Sequence, residues 1–161
     1  MPAIQILQSF LDDAGAATLA GDWDAFLVHV SLPFHLVTET ASITVPDEAG
    51  LRVGFDHFGD MLRVMRISDY VRLAESADEI GPDLISGHYV THLMSGAHRM
   101  VPPFHSHVTL RREGGRWRAA SIVNALSNAR WPISVPIVAQ TPKPAPSPAP
   151  SPTPSPERDL P

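Results

Sequence analysis

Five of the eight histidines of this chain, His88, His92, His98, His105 and His107, fall within residues 87–110, "GHYVTHLMSGAHRMVPPFHSHVTL". Imidazoles at i and i+2 on an extended segment share a face, so His105 and His107 have the spacing of a metal pair. A metal centre needs a third ligand and hydrogen-bonded support behind it. Only His88 or His92 could supply that ligand, and only from a strand facing the same way. No metal site is expected. A histidine that is neutral near pH 7 can instead act as a general base. That is the role expected of His92, with His88, if their face lines a pocket. His98 sits beside Arg99 in a loop and is expected in solvent.

The remaining chemistry is bounded by what the chain lacks. Without cysteine there is no disulfide, iron–sulfur or thiolate zinc site. The start "MPAIQILQSFLDD" has no basic region ahead of its apolar residues, and no run approaches the about 18 apolar residues of a membrane span. A soluble, cytoplasmic chain is expected. Its net charge of -5 is uneven: residues 12–83 carry fourteen acids against Arg52, Arg63, Arg66 and Arg72. Arg111, Arg112, Arg116 and Arg118 cluster around Gly114-Gly115, read as a solvated hairpin tip. An acidic chain without basic, aromatic-studded strands is no nucleic-acid binder. No cofactor is expected.

The elements that must position these residues follow from periodicity. Ile4, Ile6, Leu7, Phe10, Leu11, Ala14 and Leu19 fall mostly on one helical face, and Gly21 ends that helix. Asp22 is a natural cap for a second helix carrying Trp23, Phe26, Leu27 and Val30, stopped by Pro33. Residues 34–39 and 42–45 read as a hairpin, and 51–66 as a third helix with Phe55, Phe58, Leu62 and Met65 inward. Strands are expected over 70–76, 83–94, 104–113 and 116–126. The apolar stretch 129–137 should pack on the core or on a partner. Residues 138–161 hold nine prolines and read as an extended tail, so the domain spans 1–137. This order gives an α+β domain with helices on one side of a curved, six-stranded, mostly antiparallel sheet.

A Gly114-Gly115 turn pairs Glu113 with Arg116, and strict alternation then pairs Thr109 with Ala120 and His107 with Ile122. One face carries Phe104, Ser106, Val108, Trp117, Ser121 and Val123, and is expected inside. The other carries His105, His107, Ile122 and Asn124. For residues 84–94 alternation leaves the choice open. Either His88 and His92 or Tyr89 and Thr91 line the interior, and we take His92.

The segments "AGDWDAFLVHV", "GFDHFGDMLRVM" and "LRREGGRWRAASI", in this order, resemble the nuclear transport factor 2-like superfamily and, within it, the SnoaL-like (polyketide cyclase-like) group. The resemblance covers residues 3–127. It implies a cone-shaped barrel of three helices on a strongly curved sheet, with a pocket open at one end. Members include cyclases, isomerases, dehydratases, ligand carriers and non-catalytic assembly domains. No equivalent of the isomerases' tyrosine–aspartate constellation is found. The resemblance implies a pocket for a small, largely apolar organic molecule, lined by Phe104, Ser106, Val108, Trp117, Ser121, Val123 and Tyr89, with His92 or His88 as base for cofactor-free isomerase, cyclase or dehydratase chemistry. It also implies a homodimer through the outer sheet face, at His105, His107, Ile122 and Asn124. The alternative is a non-catalytic dimerisation module with a proline-rich tail.

Overall fold

The computed structural model describes residues 1–140 and 147–151, so most of the expected tail lies outside the described residues. Helix α1 (Ala3–Ala20) buries Leu7, Phe10, Leu11 and Ala14, spaced one helical stripe apart. Gly21 ends it in the left-handed region, φ 68°. The Asp22 carboxylate accepts from the Ala25 N–H at 3.1 Å and starts α2 (Trp23–Leu27).

The expected second helix does not reach Pro33. It stops after five residues, and the chain enters strand β1 (Val30–Val37). Pro33 therefore lies inside a strand. Having no N–H to donate, it falls in the gap where pairing with the neighbouring strand shifts, between Val30 and His35. β1 turns into β2 (Ser42–Val45), and α3 (Glu48–Val64) follows, capped by the Asp47 carboxylate on the Gly50 N–H at 2.9 Å. Three long strands come next, β3 (Asp69–Gly81), β4 (Leu84–Ser95) and β6 (Phe104–Glu113). Between β4 and β6 lies the two-residue β5 (His98–Arg99), and the sheet closes with β7 (Arg116–Asn124).

The sheet has seven strands rather than the expected six, in the order β2-β1-β7-β6-β4-β3, with β5 paired to β4. β5 is the addition, formed inside what reads as a loop. β1 runs parallel to β7, and the other pairings are antiparallel. The three helices cover the concave side.

One irregularity reorders the hairpin of β6 and β7. Gly114 and Gly115 take φ 56° and 78°, the turn that two glycines allow. Pairing follows the expected register from Glu113–Arg116 to Arg111–Arg118. Leu110 with Ala119 continues it; the register then shifts, and Thr109 pairs with Ser121 instead of Ala120. Ala120 is the extra residue of a β-bulge. Because side chains alternate, one added residue exchanges the two faces of β7 beyond it.

Residues 125–139 return across the sheet end. Thr38 Oγ1 donates to Asn128 O at 2.6 Å, the Glu39 N–H donates to Leu126 O at 2.8 Å, and Leu126 bridges Val138. Of the two expectations for this stretch, packing on the domain's own core is the one realised: Ile133 is buried and Trp131 lies against the core.

Candidate functional site: the pocket of the cone

Helices α1, α2 and α3, the concave sheet face and the returning segment enclose a cavity of about 180 Å³. Its walls are mostly apolar, with Phe10, Phe34, Phe55, Phe104 and Trp131 among the lining side chains. Phe26 and Phe55 meet at 4.8 Å between ring centroids, and Trp23 meets Phe55 at 5.4 Å. Trp131 spans the returning segment and α3. Its indole N–H donates to Gly50 O at 2.8 Å, and its ring lies where a Gly54 side chain would be.

The face of β4 is set by Gly87. A Cβ there would come within 2.5 Å of Leu7 Cδ2, so this strand passes directly beneath α1 at its one residue without a side chain. Ile85, Gly87, Tyr89, Thr91 and Leu93 are consequently buried. Tyr89 and Thr91 line the cavity; His88 and His92 do not. The expectation that His92, with His88, supplies a pocket base is corrected on this geometry. His88 lies beside His107, ring centroids 4.8 Å apart, and its Nδ1 is 3.3 Å from Ser76 Oγ. His92 Nδ1 lies 3.5 Å from Arg99 Nη2.

The β6–β7 residues divide differently from the expectation. Phe104 and Ser106 line the cavity. Val108 is fully buried in the core beside it and does not line it. Trp117 lies in a separate groove with Met1, Ile6, Arg112 and Arg116. Beyond the bulge, Ser121 and Val123 turn outward, Val123 being 45% exposed. Ile122 and Asn124, expected at an outer interface, line the cavity instead. Of the four residues expected on the outer face, only His105 and His107 stand there, with His105 Nδ1 3.1 Å from Glu75 Oε2 and Ser86 Oγ 2.6 Å from His107 Nε2. Among the described residues no group of three or more metal-ligating side chains comes together.

The polar end of the pocket is built from residues on four elements. Tyr89 and Thr91 come from β4, Ser106 from β6, Asn124 from β7, and Tyr70 and Arg72 from β3. Burial raises the Tyr89 phenol above its ordinary value of 10.0, an effect the Arg72 charge opposes; Ser106 pairs with Tyr89 across the sheet, and the Arg72 guanidinium carbon lies 5.9 Å from the Tyr89 ring centre. Arg72 is 9% exposed and lies against α1, where its Nη2 donates to Leu11 O at 2.8 Å. Gly15 of α1 faces it: a Cβ there would sit 3.4 Å from Nη2, an ordinary contact distance. The guanidinium carbon lies 4.8 Å from the centre of the Tyr70 ring, within cation–π range. His29, between α2 and β1, also lines the cavity. Burial lowers its pKa below 6.5; Asp13 acts against that shift, and Arg116, Arg72 and Arg118 add to it.

Arg72 and His29 were missed in the sequence, Arg72 as one charge on an edge strand and His29 as part of a helix. A buried position three residues from Glu75 on a strand gives no periodic signal. "HVSLPF" does alternate around Pro33, and that was the available clue to His29.

No family model matches the chain. No curated protein matches it either. Solved structures do. A nuclear transport factor 2-like protein with a cystatin-like fold from Novosphingobium aromaticivorans is similar at 14% identity, with a TM-score of 0.57, over 79% of this chain and 83% of that one. A nuclear transport factor 2-like protein of unknown function from Pseudomonas putida is similar at 12% identity and a TM-score of 0.55, over 86% of this chain and 96% of that one. A protein from Thiobacillus denitrificans, provisionally assigned as a calcium/calmodulin-dependent protein kinase type II association domain, is similar at 15% identity and a TM-score of 0.58, over 77% and 97%. The chain has the nuclear transport factor 2-like, cystatin-like fold.

Proposed function

We propose that this chain binds a small, largely apolar organic molecule in the pocket of its cone. The observation that carries the reading is a cavity of about 180 Å³ with aromatic walls and a few convergent polar groups at one end. The size is informative, since an apolar cavity of about 150 Å³ holds benzene. A single ring with one small substituent fits. Chemistry on such a molecule, of the isomerase, cyclase or dehydratase kind expected in the SnoaL-like group, would fall to Tyr89 as hydrogen-bond donor and neutral His29 as base. A cofactor-free reaction in a cytoplasmic protein is part of this reading.

The test is thermal unfolding at rising toluene concentration. Ligand that binds only the folded state stabilises it by RT ln(1 + [L]/Kd), about 1.4 kcal/mol at tenfold above Kd. A midpoint that climbs and saturates supports the reading. A midpoint that stays fixed or falls up to the solubility limit refutes it.

A second reading, a dimerisation module, is favoured by one observation. The outer sheet face exposes apolar side chains at both sides of its histidines: Val71 is 37% exposed and Leu73 47% on β3, and Val123 45% on β7. Val71 pairs with His92, Leu73 with Val90 and Val123 with His107, so these side chains border the histidines. A second copy seated there would cover them, and the two readings are compatible. Among the described residues no helix is long and apolar enough to cross a membrane. Native mass spectrometry reads the subunit number directly, and a monomer would remove this reading.

A further inference from the structure

We propose that the molecule this pocket takes is a small apolar carboxylate, seated against the Arg72 guanidinium. The proposal deepens the pocket reading above and rests on it.

Arg72 is the observation that demands a partner. A guanidinium keeps its proton in proteins, so this charge is permanent. It is nine-tenths buried, yet it has no carboxylate. The ion pairs among the described residues join Arg52 to Asp56, Arg63 to Asp60, His105 to Glu75, Arg112 to Asp83 and Arg118 to Glu113. Arg72 is in none of them. Its Nη2 has the Leu11 carbonyl and its face has the Tyr70 ring; its Nε, on the edge that faces Gly15 of α1, is buried with no hydrogen-bond partner. Arg118 also has an unpartnered Nε, but a Glu113 carboxylate oxygen lies 3.9 Å away. Burying an unpaired charge is costly, and chains keep one where something else neutralises it.

The pocket around Arg72 selects an acceptor. Its lining includes no aspartate and no glutamate. Hydroxyl groups that line the cavity with Arg72 include those of Tyr89, whose ring centre lies 5.9 Å from the guanidinium carbon, and Ser106, both able to donate. The Tyr89 phenol, ordinarily a weak acid and pushed further up by burial, keeps its proton. A cation and two hydroxyl donors at one end of an aromatic cavity make a cradle for two oxygens of a single anionic group. The planar fork of arginine fits a carboxylate in that geometry. The remaining space, by the benzene comparison, holds one ring or a short branched chain. Phosphate esters of comparable organic size would bring more charge and more oxygens than one arginine and two hydroxyls satisfy.

The test is calorimetric titration of benzoate and of benzyl alcohol, nearly equal in size and different in charge. Both go into the full chain and into Arg72→Met and Arg72→Lys, with thermal unfolding of each variant. The expected result is benzoate binding at least tenfold tighter than benzyl alcohol to the unaltered chain. Arg72→Met should erase that preference and change benzyl alcohol affinity by less than threefold. Arg72→Lys, which keeps the charge without the fork, should retain part of the preference. If the unaltered chain binds both probes equally, or only the alcohol, the carboxylate proposal falls and the pocket reading stands. If benzoate keeps its preference in Arg72→Met, the anion sits elsewhere and the proposal falls as well. If neither probe binds, both readings fall. Should Arg72→Met not fold, the ratio in the unaltered chain and the response of Arg72→Lys still decide.

Discussion

Trp131 occupies the place of the side chain that Gly54 lacks: a Cβ built on Gly54 would lie 1.8 Å from Trp131 Cζ2. No relaxation of a side-chain end can absorb that overlap, because the indole is also held by its hydrogen bond to Gly50 O. The contact ties the returning segment to α3 and completes the pocket wall. Gly54→Ala should therefore displace Trp131 at a cost of about 1–3 kcal/mol, the range for overpacking a filled site. Denaturant unfolding together with tryptophan emission checks this. The emission should shift to the red in the folded baseline.

The bulge at Ala120 makes a prediction opposite to strict alternation. Ile122 faces the cavity and Val123 faces out. Ile122→Lys should cost about 2 kcal/mol or more, because it puts a charge against an apolar wall. Val123→Lys should stay within about 0.5 kcal/mol, as surface substitutions usually do. Chemical denaturation of the two variants side by side tests the register. The reverse order of effects would restore the unbulged hairpin.

The acid limb of stability should carry the signature of His29 and His107. Burial is the main cause lowering both below 6.5, with His88 adding to the shift of His107. A histidine whose folded pKa lies below its unfolded value binds fewer protons in the folded state. Its penalty is absent above the unfolded pKa and grows as pH falls through about 6.5. Stability should therefore decline between pH 7 and 5. The double variant His29→Gln, His107→Gln should show a shallower decline in unfolding midpoints over that range.

Tyr89 sets the alkaline limb. Its phenol is held above 10.0, chiefly by burial, so the folded chain keeps a proton that the unfolded chain releases. The stability this contributes is complete below pH 10 and is lost as pH rises above it. Tyr89→Phe should remove that component. Ultraviolet titration should find the Tyr89 tyrosinate appearing only well above pH 10, late compared with an exposed phenol.

How much of this was written in the sequence differs by element. α1, the α3 stripe and the β6–β7 turn were legible, the helices because each repeats its period over many residues and the turn because Gly114-Gly115 marks it, though α3 begins at Glu48, capped by Asp47, inside what reads as a loop. The short α2 was over-read, since Val30 fits a helical stripe as well as a strand, and a proline suits a helix stop as well as a strand irregularity. The pocket was half legible. Tyr89 was left as one of two alternatives because both faces of β4 mix polar and apolar residues, and the deciding contact, Gly87 beneath Leu7, joins positions 80 residues apart. The inward turn of Ile122 and Asn124 depends on one bulged residue, Ala120 beside Ala119, where no large side chain marks the shift. Arg72 is the largest omission. A strand arginine reads as solvent-facing until α1 is laid over it.

The central claim is that this cavity, and not the outer face, receives an organic molecule. Intermolecular nuclear Overhauser effects between benzyl alcohol and a methyl-labelled sample test it most directly. The account predicts contacts from the ligand ring to the methyl groups of Thr91, Ile122 and Leu126, which line the cavity. Contacts confined to Val71, Leu73 and Val123 on the outer face, or none at saturating ligand, would contradict it.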